Sequence, residues 1–210
     1  MPTLTLANAK GGSGKSTLAA CLAAELHQRG HQVKLLDADP QGTLTRWHSN
    51  GGPLGALTLH ADATEAAAAW AKREGRNGIV IADCAGAATR TLAAILASAD
   101  VVLIPCRASP LDAEVALRTA AILEERRRRE VAVGVVLNAC GHSTLVAHID
   151  RELTAAGLSV MRTRISQRVA FAEAQLHGSA PCWMGTAAHK AAAEIAALTS
   201  ELLDFLTPGP

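Results

Sequence analysis

Short apolar runs alternate with longer segments of mixed polar and apolar residues along most of the chain. The apolar runs end in polar or charged residues, as strands of a buried parallel sheet do, and predict strands over 3–8, 32–36, 57–60, 78–83, 100–105, 131–138 and 159–161. The longer segments have the length and the alanine and leucine spacing of helices, and predict them over 16–29, 64–73, 89–97, 110–129, 143–156, 169–177 and 187–205. Strands that alternate with helices predict an α/β fold with a mostly parallel sheet and helices on both faces.

The composition is that of a folded protein with few aromatic side chains. Of the 210 residues, 49% are hydrophobic but only 2% are Phe, Trp or Tyr, so we expect a core of Leu, Val, Ile and Ala. No repeat, linker or shift in composition divides the chain, which predicts a single domain over 1–210 with a frayed tail at 207–210. The five cysteines form no C-x-x-C pair, which argues against zinc and against a disulfide framework.

The charges nearly balance, because 20 Lys and Arg stand against 19 Asp and Glu for a formal net charge of +1. A net charge this small creates no general attraction for nucleic acid or for anionic lipid, so such binding requires a local patch. No apolar run approaches the roughly 20 residues of a membrane span, and no signal-peptide pattern precedes the first strand. We therefore expect a cytoplasmic protein without membrane contact.

A glycine-rich loop follows the first predicted strand and leads into a helix, which is where a phosphate-binding loop lies. Glycines allow backbone N–H groups to surround a phosphate, Lys15 can reach the β- and γ-phosphates, and the Ser16 hydroxyl can bind Mg²⁺. The common G-x-x-x-x-G-K-[ST] pattern is not met, since Ala9 occupies its first glycine position. The nucleotide-binding residues predicted here are Lys10, Gly11, Gly12, Ser13, Gly14, Lys15, Ser16 and Thr17.

The additional lysine, Lys10, completes a K-G-G-x-G-K-[ST] string that resembles the deviant Walker A motif of the ParA/MinD family of ATPases. The sequence D-A-D-P-Q-G at 37–42 resembles that family's switch segment, and 79–83 its Walker B strand. Segments 104–112 and 162–168 are similar to the short plasmid-partition ParA proteins. The resemblance spans about residues 3–178 and implies a three-layer P-loop NTPase fold with ATP and Mg²⁺ as cofactors.

The resemblance also implies roles for individual residues. Lys10 would reach the ATP of a partner chain in a nucleotide-sandwiched homodimer, while Lys15 acts within its own chain. Asp39 would orient the attacking water, so that Lys10, Lys15 and Asp39 form the catalytic set. Asp37 would brace a Mg²⁺-bound water or Lys15, and Asp83 would hold Mg²⁺ through water, beside Ser16. A ParB-type or small centromere-binding partner would stimulate hydrolysis.

Two further sites are predicted less directly. The string at 137–141 contains no guanine-reading N-K-x-D pattern, which favours adenine, and Asn138 is either a contact to the base or a cap of its own loop. Family members that bind DNA without sequence preference place arginines near Arg162, Arg164 and Arg168. These three arginines have no acidic neighbour in their stretch and are the first choice for a DNA contact. Residues 126–129 are the second, and DNA binding would imply nucleoid association.

The leading functional hypothesis is an ATPase that positions or partitions a plasmid, a chromosome or another cargo. Conjugation-accessory ATPases of the VirC type share the same motifs and remain open as an alternative. A nitrogenase-reductase-like redox enzyme is a second alternative, since Cys84 and Cys106 follow strands that approach the site, although no cluster-binding string surrounds them. An ATP-dependent carboxylase or amidase would require a substrate-binding set that the sequence does not contain.

Overall fold

The computed structural model describes residues 2–86, 90–126, 131–141 and 144–206. Its main feature is one seven-stranded sheet in which every pairing is parallel, in the order β3-β2-β4-β1-β5-β6-β7. The strands are β1 (Thr3–Leu6), β2 (Val33–Ala38), β3 (Thr58–Ala61), β4 (Ile79–Cys84), β5 (Val101–Arg107), β6 (Ala132–Asn138) and β7 (Ser159–Val160). The predicted frayed tail at 207–210 and residues 127–129 of the second basic cluster lie outside the described residues.

Helices cover both faces of the sheet. They are α1 (Lys15–Gln28), α2 (Thr43–His48), α3 (Ala66–Glu74), α4 (Arg90–Leu96), α5 (Pro110–Arg126), α6 (Thr144–Ala155), α7 (Val169–Leu176) and α8 (His189–Leu206). Three short 3₁₀ helices, Pro53–Ala56, Pro181–Trp183 and Gly185–Ala188, complete the described elements. The predicted α/β architecture with helices on both faces is therefore confirmed.

Two apolar layers hold this arrangement together, one on each face of the sheet. On one face, α1 and α8 pack through residues such as Leu22 and Leu198, both fully buried. On the other face, α3 to α6 contribute residues such as Ile95 and Ile149, which are also fully buried. Leu, Val, Ile and Ala dominate both layers, as the composition predicts. No helix among the described residues has the length and apolar character needed to cross a bilayer.

Strands β1, β2 and β5 end two residues away from their predicted ends, and the differences in β1 and β2 bear on the carboxyl edge of the sheet beside the loop. Strand β1 ends at Leu6 rather than at residue 8, because Asn8 turns its side chain inward. Its Nδ2 donates to the Pro105 carbonyl at 2.6 Å, and its Oδ1 accepts from the Lys10 N–H at 2.8 Å. Strand β2 runs two residues beyond the predicted end and carries Asp37 within it, paired in register with Asp83 of β4.

Candidate nucleotide-binding site

The glycine loop lies between the central strand β1 and the start of α1. Gly12 and Gly14 adopt φ values of 73° and 101°, which an L-residue with a side chain rarely accepts. Among the described residues, no side chain caps the N-terminus of α1. The first N–H groups of the helix, together with its partial positive charge, therefore point at the loop, which is the arrangement that binds phosphate.

A cavity of about 660 Å³ opens over this loop. Lys15, Ser16 and Thr17 of the loop and first turn of α1 line it, together with Asp39 of the switch segment. Lys15 is 6% exposed, and its Nζ lies 3.3 Å from the Lys10 carbonyl oxygen, to which it donates. The structure thus brings the predicted phosphate-binding side chains and the predicted water-orienting aspartate to one cavity.

Asp83 lies near the end of β4, paired in register with Leu6 at the end of β1 and close to Ser16 and Lys15 of the loop. Its side chain is fully buried, and neither carboxylate oxygen has a hydrogen-bond partner among the described residues. Burial raises the pKa of Asp83 to about 7, and the charges of Asp37 and Asp39 add to this rise. The nearby Ser16 hydroxyl and the Lys15 ammonium act in the opposite direction and lower the pKa of Asp83. A buried carboxylate without a partner fits a site that binds a hydrated Mg²⁺.

Asp37 makes contacts within its own chain that the sequence did not predict. Its Oδ2 accepts from the backbone N–H of Thr45 at 2.8 Å and from the Thr45 hydroxyl at 2.6 Å. Asp37 therefore anchors the first turn of α2 and with it the switch segment. The Asp39 N–H donates to Asp37 Oδ1 at 3.3 Å, and Asp39 Oδ1 in turn accepts from the Gln41 N–H at 2.9 Å. Asp37 thus positions the loop that carries Asp39, and bracing of Lys15 or of a metal-bound water remains a prediction.

Lys10, the additional lysine of the motif, is held by its own chain. Its Nζ lies 2.9 Å from Asp112 Oδ2, at the start of α5. Asp112 is 5% exposed, and the Ser109 hydroxyl donates to the same oxygen. Burial favours the neutral acid, but the Ser109 hydroxyl and Lys10 outweigh it and lower the pKa of Asp112. Farther along α5, Thr119 Oγ1 accepts from the Ala9 N–H at 3.1 Å, so α5 holds the start of the loop at two points.

A second cavity, of about 270 Å³, adjoins the loop on the side away from the switch segment. Asn138, at the end of β6, lies on its wall, and its Nδ2 donates to the Ser13 carbonyl at 2.7 Å. A Cβ added at Gly14 would lie 2.1 Å from that nitrogen, so the amide is packed directly against the loop backbone. Of the two interpretations of Asn138, this contact favours a loop cap, and contact with a base remains a prediction.

The three arginines of the predicted DNA contact each face an acid from another element. Arg164 lies 2.7 Å from Asp150 of α6. Arg168 lies 2.6 Å from a carboxylate oxygen of α8, and the exposed Arg162 lies 3.6 Å from another acid of α8. These acids are Glu194, which faces Arg168, and Glu201, which faces Arg162. The expectation that these arginines have no compensating acids is therefore wrong, because the acids lie 14 to 39 residues away in the chain and meet them through the fold.

Several residues with a role in the site were not identified from the sequence. Asp112 falls within the segment that resembles ParA proteins, but nothing in its local pattern connects it to Lys10. Thr45 and Asn8 bind atoms of the switch segment and of the loop, and Gln175 of α7 lines both cavities. A Thr eight residues after an acid, or an Asn just before a glycine loop, is too common a pattern to have found them.

Comparison with known proteins places the chain in a family. The sequence profile of the CobQ/CobB/MinD/ParA nucleotide binding domain matches residues 4–182. The chain belongs to this family. The ParA protein of Rhizobium radiobacter is 32% identical over 179 residues, covering 81% of each chain. The protein named maintenance of carboxysome distribution protein A, from Halothiobacillus neapolitanus, is 28% identical over 208 residues, covering 96% of each. The expected ParA/MinD membership is thus confirmed.

Solved structures give the same fold. An ATP complex of McdA from Cyanothece has a TM-score of 0.76 at 20% identity and covers 96% of each chain. Structures of this fold also include one with bound ADP and magnesium, in line with the two cofactors expected here. At this level of identity the likeness establishes the fold alone.

Proposed function

We propose that this chain binds ATP with Mg²⁺, hydrolyses it slowly, and as an ATP-bound homodimer moves or places a plasmid, a chromosome or another cargo. The observation that carries the proposal is the cavity over the loop, which has a buried lysine, Lys15, on its wall, together with the buried and unpartnered carboxylate of Asp83 close to Ser16 and Lys15. Such a site is built for a polyphosphate with a hydrated cation.

The phosphates would lie over the N-terminus of α1, where loop N–H groups and Lys15 offset their charge. The Ser16 hydroxyl, on the cavity wall, would bind Mg²⁺ directly, and Asp83 close to it would hold the ion through water. When bound, the ion supplies charge neutralisation at the β- and γ-phosphates. The second cavity, on the other side of Gly14, has room for the base and ribose, and its wall carries Asn138 and Phe171.

Hydrolysis requires a water oriented toward the γ-phosphate, and Asp39 is the side chain that we assign to this task. It lines the same cavity as Lys15, and its position depends on Asp37 and the first turn of α2. Orientation by one carboxylate without further activation is consistent with slow turnover that a partner protein accelerates. A ParB-type or small centromere-binding protein is the class of partner that the family resemblance implies.

Dimerisation would change the partner of Lys10. In the single chain its ammonium is matched by Asp112. Two such loops facing each other without nucleotide would bring like charges together, whereas a γ-phosphate across the interface offers Lys10 a stronger acceptor. ATP therefore favours the dimer, and ADP, which lacks this phosphate, does not.

The cargo is argued from the relatives, which are a ParA protein and a carboxysome-distribution protein. DNA without sequence preference would be the track for such a cargo, bound by the ATP-state dimer. Of the three predicted arginines, Arg162 is the best placed, since its side chain is 85% exposed, against 27% for Arg164 and 31% for Arg168. Nucleoid association would follow from this contact.

The redox alternative receives little support from the positions of the cysteines. Cys84 is 1% exposed and Cys106 is fully buried, within the layer between the sheet and its helices. A cluster shared by two chains needs thiolates at the surface where the chains meet. Burial also raises the pKa of the Cys106 thiol to about 12, which disfavours the thiolate.

Sedimentation with each nucleotide tests the proposal. Wild-type protein is expected to dimerise with ATP and Mg²⁺ but not with ADP and Mg²⁺. Lys10→Ala is expected to bind ATP and remain monomeric. Lys34→Ala is the matched control, because Lys34 also forms an ion pair, with Glu74, but lies on β2 away from the loop. Equal masses with ATP and ADP would contradict the proposal, as would a monomeric Lys34→Ala variant.

A further inference from the structure

Helix α7 makes a direct polar contact with the first turn of α1. The side-chain amide Nε2 of Gln175 donates to Thr17 Oγ1 at 2.7 Å, across 158 residues of sequence. Both side chains are half-buried, and both line both of the cavities described above. The contact therefore lies between the phosphate side and the base side of the site.

The direction of this hydrogen bond matters for the phosphate. An amide NH₂ group only donates, so Thr17 Oγ1 is the acceptor. A hydroxyl that accepts one bond keeps its own proton to donate elsewhere. Thr17 stands in the first turn of α1, where the N–H groups and Lys15 already converge on the cavity. Its hydroxyl proton is thus available to a phosphate oxygen in that cavity.

Packing alone does not account for a glutamine at this position. Phe171, one turn earlier on α7, is 9% exposed and belongs to the same apolar layer as Leu18 and Leu22 of α1. Phe171 thus supplies the apolar packing of α7 against this layer. The amide of Gln175 is instead placed on the cavity wall, where an apolar side chain would serve packing equally well and would leave Thr17 Oγ1 without this donor.

We infer that Gln175 is a positioning residue for nucleotide: by donating to Thr17 Oγ1, it turns the Thr17 hydroxyl proton toward a phosphate oxygen. The inference rests on the proposed function, since it requires a nucleotide in the cavity. A bound phosphate would in turn stabilise the contact between α7 and α1. Helix α7 also carries Val169 and Leu176, which are 72% and 75% exposed.

Three substitutions at two positions test the direction of the bond. Gln175→Leu removes the donor, and ATP and ADP are both expected to bind about three- to tenfold more weakly, the loss typical of one hydrogen bond. Gln175→Glu can still pair with Thr17, but it accepts the hydroxyl proton and adds negative charge, so the loss is expected to exceed that of Gln175→Leu. In a Thr17→Val background, Gln175→Leu is expected to cost nothing further.

Fluorescent ATP and ADP titrations, with thermal unfolding beside them, give the readouts. Gln28→Leu is the matched control, because this exposed glutamine at the end of α1 lines neither cavity, so its substitution should not change affinity. Without nucleotide, the Tm of Gln175→Leu should equal that of wild type, and only the rise in Tm on adding nucleotide should shrink. A lower Tm without nucleotide, with unchanged affinity, would reduce Gln175 to a packing role and overturn the inference.

Two further outcomes are decisive. Wild-type affinity in Gln175→Glu, or losses that simply add in the double variant, would contradict the inference. The Lys15→Ala variant distinguishes failure of the inference about Gln175 from failure of the proposed function. If wild type binds ATP, Lys15→Ala does not, and Gln175→Leu binds normally, only the inference about Gln175 fails. If wild type does not bind ATP at all, the proposed function fails with it.

Discussion

Lys15 of the phosphate loop and the arginines of segment 162–168 are basic side chains that resemblance assigns to anions, and they differ in where they find their partners. In the phosphate loop, Lys15 faces a cavity and contacts a carbonyl five residues away. In segment 162–168, Arg164 and Arg168 each face a carboxylate on another helix. A cation that faces a cavity is ready for a ligand, whereas a cation already paired in the fold must give up a partner first. Absence of acids in a stretch of sequence therefore does not establish that a basic patch is uncompensated.

The largest expected effect is the loss of ATP affinity when the lysine of the phosphate loop is replaced. Lys15→Ala removes a buried cation from the phosphate cavity, and ATP affinity is expected to fall by about 10²-fold or more. Arg164→Ala removes a cation from the other region and is expected to leave ATP affinity within about twofold. Calorimetric titration of both variants measures the contrast. Equal losses in the two variants would mean that the regions do not differ in the way described.

The second largest expected effect distinguishes ATP binding from ATP hydrolysis within the site. Asp39→Ala is expected to bind ATP normally and to lose about 10²-fold in turnover, because orientation of water is lost while the loop is intact. The ATP-bound dimer should then accumulate. Phosphate release and sedimentation measure the two quantities, with Asp62→Ala as the control, since Asp62 also accepts a local backbone N–H, from Thr64, but lies after β3. Wild-type turnover in Asp39→Ala would show that another group orients the water.

Much of the site was predictable because its parts are local in sequence. The loop, its flanking strand and helix, and the acids at the ends of β2 and β4 all follow from patterns a few residues long. Parallel pairing then brings Asp37 and Asp83 into register at one edge, as expected for strands that end in acids. The fold class was predictable for the same reason, since buried strands and amphipathic helices each have their own period.

The side chains that contact the site residues and segment 162–168 were not predictable, because they belong to elements far away in the chain. Asp112 meets Lys10 from the start of α5, and Asn138 meets Ser13 from the end of β6. Glu194 and Glu201 reach segment 162–168 from α8. Each contact depends on how strands are ordered and how helices lie across them, which a short pattern does not encode. For this reason the ion pairs of Arg162, Arg164 and Arg168 were not predicted from the sequence.

A pH series distinguishes the carboxylates of the two regions. The pKa of Asp83 is raised to about 7, so its contribution to stability is present below its unfolded pKa near 3.8 and is lost as pH rises to about 7. Asp83→Asn is therefore expected to raise the free energy of unfolding of the nucleotide-free protein by about 1–3 kcal/mol at pH 8, with the gain vanishing toward pH 4. Denaturant unfolding at several pH values measures this change.

Glu194 should behave in the opposite way. Burial opposes its ionisation, but Arg168 and the N–H and hydroxyl of Ser166 lower its pKa below 4.5. Its contribution to stability is present above that value and is lost as pH falls through the folded pKa. Glu194→Gln is expected to lower the free energy of unfolding by about 1 kcal/mol at pH 7 and by less at pH 3. The same sign of pH dependence for Asp83→Asn and Glu194→Gln would contradict the contrast between the two regions.

The smallest expected effect concerns DNA, and it compares two arginines of the same segment. Arg162 is 85% exposed and 3.6 Å from its acid, so it can contact a phosphate without losing a tight ion pair. Arg162→Ala is expected to weaken binding of the ATP-bound protein to unrelated duplexes by a few fold at low salt. It should also reduce the slope of log K against log salt by about one per protomer.

Arg164→Ala is the control, because the Arg164 guanidinium already forms an ion pair with Asp150 at 2.7 Å. This variant is expected to leave DNA affinity unchanged and to lower the free energy of unfolding by about 0.5 kcal/mol. Fluorescence titration across a salt series decides between them. A larger loss of DNA binding in Arg164→Ala than in Arg162→Ala would show that ion pairs of this segment open on binding, and that exposure in the free chain does not identify the contact.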